Sequence, residues 1–219
     1  MTTLSLSIPV AMGYVPLGMV FGFLFVQAGG AWWIVPPFSI LVFAGAAQFM
    51  VIPMLVAGMS LGSIALATLV VNLRHVFYGL SLLERMPRNP FARGYLIWAL
   101  TDENYSVLTT LPADTPTRQM VAVAMLNHGW WVLGSLIGAL IGAQVETALA
   151  GFEFSLAALF AVLAVEQWRA SRNAWTIMAT ALLLYVAAQL VAPTQALLVA
   201  IALSTVAVLL WPKQRPIFR

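Results

Sequence analysis

Apolar stretches close to the ~20 residues that cross the hydrocarbon of a bilayer as a helix recur along this chain. They fall at Ile8–Ala28, Ile34–Ala57, Leu61–Leu83, Met120–Ala143, Phe154–Trp168, Trp175–Val191 and Gln195–Trp211, so about seven transmembrane helices are expected. The residues before Ile8 hold no basic cluster and no small-residue cleavage site follows, so the first stretch reads as a retained span. A further segment, Gly94–Leu111, is long enough to cross but carries Asp102 and Glu103 side by side. It is read as a re-entrant or short polar helix, with a full crossing as the alternative.

Composition agrees with this pattern. Hydrophobic residues make up 62% of 219 positions and charged residues 8%, and the mean hydropathy is +0.96, a balance that a water-facing surface does not tolerate. The fold class is therefore an all-α polytopic membrane protein, a single integral membrane domain over residues 1–219. Cysteine is absent, which excludes disulfides, thiolate metal ligands and cysteine nucleophiles. The net charge of +3 is small and scattered over loops, where it orients a membrane protein instead of binding nucleic acid.

The basic residues fall in groups: Arg85, Arg88 and Arg93, then Arg118, then Arg169 and Arg172, then Lys213, Arg215 and Arg219. Cytoplasmic loops collect such residues. All four groups share one face if Gly94–Leu111 enters and leaves by the same side, which puts the C-terminus in the cytoplasm and the N-terminus outside. Trp32, Trp33, Trp168, Trp175 and Trp211 lie at expected span ends, as interfacial anchors do.

Two features point toward transport. Val10-Ala11-Met12 recurs as Val123-Ala124-Met125, Leu17-Gly18 as Leu133-Gly134, and the F-A-G-A-A-Q-F run at 43–49 echoes F-A-V-L-A-V-E-Q-W at 160–168. Halves 1–111 and 118–219 would then form an inverted internal repeat around a midplane site, with the second copy upside down. Broken helices are the second feature. Pro9, Pro16 and several glycines interrupt the first span, and Gly45 and Pro53 flank Gln48 in the second. Each proline frees a carbonyl, which at membrane depth must line a cavity, so Pro16 and Gln48 mark a candidate cavity; a simple kink, with Gln48 bonded to a neighbour, is the alternative. Gly134, Gly138 and Gly142 form a ladder that admits a second helix closely, in this chain or in another.

The polar residues within apolar segments carry the candidate chemistry. Asn72, Arg74 and His75 cluster within Leu61–Leu83; an arginine at the centre of a membrane helix costs roughly 2.5–3.5 kcal/mol on insertion scales, so it must face protein, water or ligand. Arg74 and Tyr78 share a helical stripe, so Tyr78 is placed to brace Arg74, and Arg74 is suited to a substrate carboxylate or to pairing with Asp102 or Glu103. Thr101, Asp102 and Glu103 could hold a substrate ammonium, and Asp102, Glu103 and His75 are candidates for proton coupling or ion pairing. Asn127 and His128 are weaker candidates. Zinc-helix, nucleophile-elbow and P-loop motifs are missing from the sequence, which argues against an enzyme, and no cofactor is called for.

Three ordered motifs carry a resemblance: F-A-G-A-A-Q-F at 43–49, N-L-R-H-V-F-Y-G-L-S at 72–81 and L-T-D-E at 100–103. With the P-x-x-x-G-Y-x-P-x-G opening and F-S-L-A-A-L-F at 154–160, they are similar to the AzlC family over about Ile8–Gln167. The resemblance implies the large subunit of a secondary transporter that exports valine, leucine, isoleucine and methionine across the bacterial cytoplasmic (inner) membrane. It also implies a small AzlD-type membrane subunit as partner. Asn72 departs from members that carry Asp there, which weakens any ion coupling built on that position. The rival readings are a structural membrane subunit whose partner holds the transport site and, behind it, an ion or metal channel.

Overall fold

The first helix, α1 (Thr3–Gln27), starts where Thr2 leaves helical angles and its side chain accepts a hydrogen bond from the Ser5 amide at 3.3 Å. This caps one of the first-turn donors that a helix cannot satisfy itself. The computed structural model describes residues 2–112, 114–145, 174–191 and 193–210. They divide into two compact units, one of Met1–Ser60 with Val71–Ala150 and one of Leu61–Val70 with Gly151–Arg219.

In the first unit α1 packs along α8 (Thr117–Gln144). The contact runs on glycine: a Cβ on Gly18 would lie 2.9 Å from the Trp131 carbonyl oxygen, one on Gly134 2.5 Å from the Val15 carbonyl oxygen, and one on Gly138 would overlap the Met19 carbonyl. The glycine ladder thus has its partner helix within this chain, and two backbones approach as only small residues allow. Ser7 bonds to Asn127, and Gln27 donates to the Gly142 carbonyl at 3.0 Å, so the register rises together and the two helices are parallel.

Two helix pairs lean on this core. After the turn Trp32–Ile34 the chain forms α2 (Val35–Leu41), breaks at Val42–Ala44 and returns as α3 (Gly45–Val56). On the way in, Phe38 packs on Phe25 and Phe21 and then Phe43 reaches Tyr14. On the way out, Phe49 packs on Phe21, and Ile52, Leu55 and Val56 share a cleft with Phe25 and Ala28–Gly30. The pair is a re-entrant hairpin that enters and leaves at the C-terminal end of α1.

The second hairpin is α6 (Pro90–Trp98) and α7 (Asp102–Thr110), broken at Ala99–Thr101. Asn89 caps α6 through the amides of Phe91 and Ala92, with Pro90 at the first helical position, where its missing N–H is no loss. Arg85, which precedes α6, bonds to the Thr109 and Leu111 carbonyls at the far end of α7. Leu6 of α1 shares a cleft with Thr110–Pro112. Gly94–Leu111 therefore turns back on itself at the N-terminal end of α1. Before it, α4 (Leu61–Asn72) and α5 (Arg74–Leu82) are separated by Leu73. Tyr78, Ser81 and Arg85 meet Asp102, Tyr105 and Thr109 in ascending order, so α5 runs parallel to α7 and antiparallel to α1 and α8.

Two sequence expectations are corrected. Ile34–Ala57 is two half-length helices, because each finds its partners on α1 and α8 from one end only. α1 runs unbroken through Pro9 and Pro16; the breaks fall instead at Val42–Ala44 and Ala99–Thr101, while Leu73 keeps helical angles within Leu61–Arg85. The matching segments Val10–Met12 and Val123–Met125 lie on parallel helices, and residues 146–173 of the second expected half lie outside the described residues. The N-terminal end of α1 lies on the same side as Arg85 and Arg118.

Among the described residues, Thr3–Gln27, Leu61–Arg85 and Thr117–Gln144 are long and apolar enough to cross a membrane. In the second unit, α9 (Ala174–Val191) and α10 (Ala196–Leu210) pack together around Ala188, Ala196 and Ala200. The expected span Phe154–Trp168 and the echo at 160–168 lie outside the described residues.

Candidate functional site

Tyr14 stands near the middle of α1, and His128 and Trp131 near the middle of α8, so what gathers around them lies about half-way through a rod of roughly 37 Å. The break Ala99–Thr101 arrives at this level. Thr101 is extended and caps α7 by accepting from the Asn104 amide at 3.2 Å. Its hydroxyl also meets the Tyr14 hydroxyl at 2.6 Å, and Tyr14 donates to Glu103 at 2.6 Å. Asp102 and Glu103 occupy the first turn of α7, where carboxylates complement the positive end of the helix dipole.

The two acids then part. Glu103 goes to Tyr14, while Asp102 pairs with Arg74 at 3.0 Å and accepts from the Tyr78 hydroxyl at 2.7 Å. Tyr78 thus braces the carboxylate partner of Arg74, not Arg74 itself. It also stacks on Tyr105 at 4.4 Å, and His75 meets its edge at 5.8 Å. Beside the ion pair, the Arg74 Nε and the Asn72 Oδ1 are buried and have no hydrogen-bond partner. One is a donor and the other an acceptor, and they flank Leu73, where α4 gives way to α5. Burying such groups unpaired costs about 1–3 kcal/mol each.

Arg74, Asn72, Tyr78, Thr101, Asp102, Glu103 and His75 are thereby brought into one region around the tip of the second hairpin. Gln48 and Pro16 are placed elsewhere. Gln48 is fully buried and spends its amide on neighbours: its oxygen accepts from the Trp131 indole at 2.8 Å and its nitrogen donates to Ser39 at 3.3 Å. It ties α2, α3 and α8 together. Pro16 is exposed on α1, away from the face that carries Tyr14 and Gly18. We expect Gln48→Leu to strand the Trp131 N–H and lower stability by about 1–3 kcal/mol. A thermal melt of the detergent-solubilised protein measures it, and an unchanged melting temperature would return Gln48 to the list of groups free for a ligand.

Sequence reasoning missed Tyr14, Ser7 and Asn104 and underweighted Asn127. Asn127 donates to Asn104 at 2.7 Å, Asn104 to the Ala99 carbonyl at 2.6 Å, Ser7 to Asn127, and the Trp130 indole to Ser7 at 2.9 Å. This chain of bonds is buried and satisfied, and it fastens the hairpin tip to α1 and α8. The signals were present in T-D-E-N and G-Y-x-P, but a tyrosine in an apolar helix reads as core until its partner is known. No group of three or more His, Cys, Asp or Glu side chains with metal-binding geometry occurs among the described residues.

Comparisons with known proteins show the family. The family model described as AzlC protein matches residues 9–145. The chain is 32% identical to the branched-chain amino acid transport protein AzlC of Bacillus subtilis, over 78% of this chain and 69% of that one. It is 34% identical to inner membrane protein YgaZ of Escherichia coli (70% and 67% covered) and 34% identical to a membrane protein of Helicobacter pylori strain J99 (95% and 92% covered). No solved structure matches. The protein is a helical membrane protein, and it belongs to the AzlC family.

Proposed function

We propose that this chain is the large, substrate-carrying subunit of a secondary transporter that moves branched-chain amino acids out across the cytoplasmic membrane, with a small membrane subunit as its partner. Family membership supports it, as does the transport function named for the Bacillus subtilis relative. The observation that carries it is the buried, unpartnered pair of Arg74 Nε and Asn72 Oδ1 beside the Arg74–Asp102 ion pair. A zwitterionic amino acid brings an anionic acceptor and a cationic donor on one carbon, which is the complement of such a pair. Arg74 takes the carboxylate, the ammonium faces Asn72 and the carboxylates of Asp102 and Glu103, and Tyr14 and Tyr78 hold those carboxylates in place, with Thr101 bonded to Tyr14.

Substrate choice is broad on this reading. A hydrophobic pocket discriminates by only about 1–3 kcal/mol per methylene, so valine, leucine, isoleucine and methionine share the route. Efflux of isotopically labelled valine from cells carrying Arg74→Gln or Asp102→Asn, at matched protein levels, tests the assignment. Each variant is expected to export at least tenfold more slowly; wild-type rates in both would take the ion pair out of the pathway. Leucine binding by the purified chain alone separates a substrate-carrying subunit from a scaffold, since a scaffold does not bind.

A further inference from the structure

The tips of the two hairpins meet. Phe43, at the break of the first, stacks on His128 with ring centres 4.5 Å apart and lies 6.3 Å from Trp98, at the end of α6 in the second. Trp98 meets the edge of the same histidine at 5.2 Å, and Tyr14 meets the edge of Phe43 at 5.9 Å. These rings form a layer across the middle of α1 and α8, with one hairpin arriving from each end. The relation is inverted: α1 is followed by a hairpin at its C-terminal end, and antiparallel α5 is followed by a hairpin at its own.

We propose that the two hairpins are the two gates of the transport pathway and that the ring layer of Phe43, His128 and Trp98 is the closed barrier between the faces. This rests on the transport reading above. Each hairpin is anchored to the long helices by directed bonds: Gln48 to Trp131 and His128 to the Ser39 carbonyl for the first, Asn127 to Asn104 and Tyr14 to Thr101 for the second. Between the tips themselves, Val42–Ala44 and Trp98–Thr101, the described residues make ring contacts and no hydrogen bond. Ring contacts are individually small and need no fixed partner atom, so the Phe43 and Trp98 rings can swing apart while the anchors hold. Apolar constrictions of this kind block a pathway by excluding water, and alternating access needs a barrier that opens toward each face in turn. The site residues lie against the layer, because the tyrosine whose ring touches Phe43 also holds Thr101 and Glu103 through its hydroxyl.

The natural chain has no cysteine, so introduced thiols are its only ones. Phe43→Cys with Trp98→Cys, produced in the native host lacking its own copy, is joined by a short cleavable thiol cross-linker, and valine efflux is measured before joining, after it and after cleavage. Efflux should fall at least tenfold on joining and return on cleavage, while each single variant keeps its pre-treatment rate through the same reagent. Full cross-linking with unchanged efflux overturns the gate, as does a pair that reaches the membrane but cannot be joined. If wild-type cells export no valine, the transport reading fails and the gate falls with it; export by wild type with undiminished export by the joined protein sinks the gate alone. Should the double variant not accumulate, Ala44→Cys with Trp98→Cys, which keeps Phe43, carries the same test.

Discussion

Gly138→Leu is expected to reduce the folded chain in the membrane about a hundredfold, equivalent to roughly 3 kcal/mol, the upper range for overpacking. The reason is the nature of the neighbour. A Cβ at Gly138 meets the carbonyl, carbon and Cα of Met19, all backbone of the facing helix. A side chain can change rotamer, but α1 cannot yield there without moving as a whole. Movement would carry Ser7, Tyr14 and Gln27 away from the partners that fasten the second hairpin and α8. Gly13→Ala is the matched control: nothing lies within 4 Å of its added methyl, and alanine gains helix propensity of up to about 1 kcal/mol. Fluorescence-detected size exclusion of both variants reads the contrast. Equal recoveries would mean that α1 and α8 do not approach through their glycines.

The second large effect separates structure from transport at the ion pair. Arg74→Ala leaves the Asp102 carboxylate facing Tyr78 with no cation; the two side chains are 35% and 37% exposed, but within an apolar membrane segment a lone charge is still more harmful than none. The amount of Arg74→Ala in the membrane should therefore drop about tenfold, and Arg74→Ala with Asp102→Ala should restore most of it. Export should not follow. With Arg74 gone, nothing answers a substrate carboxylate, and valine efflux by the double variant should stay below about one hundredth of wild type, as for the loss of a charged binding contact. Recovery of export together with abundance would reduce the pair to a structural plug.

How much of this was legible beforehand depended on what each residue reports. Hydropathy measures what a segment is made of and not how deep it goes. Ile34–Ala57 therefore read as one span, although Pro36-Pro37 and Ala44-Gly45 already marked two half-length helices. The return of Gly94–Leu111 to its own side was readable because Arg85, Arg93 and Arg118 bracket it. The long helices were equally plain, since unbroken apolar runs of their length have few alternatives. At the site, charge gave Arg74 and Asp102 away, because an ionised side chain in an apolar run needs a counterpart. Tyr14, Ser7 and Asn104 were silent because their role comes from pairings across distant parts of the chain. The proline rule misled at Pro16, where α1 continues on its exposed side.

The first hairpin has a consequence for how the protein is made. Its halves are too short to span, and its buried polar groups, the Gln48 amide and the Ser39 carbonyl, find their partners on Trp131 and His128. Both partners belong to a helix synthesised much later. Between insertion of α1 and emergence of α8, the Gln48 side-chain oxygen and the Ser39 carbonyl lack these partners, although Gln48 and Ser39 can still bond to each other, so the nascent protein is expected to pass through a vulnerable interval. A quality-control protease, or a chaperone at the insertion machinery, would recognise the chain best in that interval.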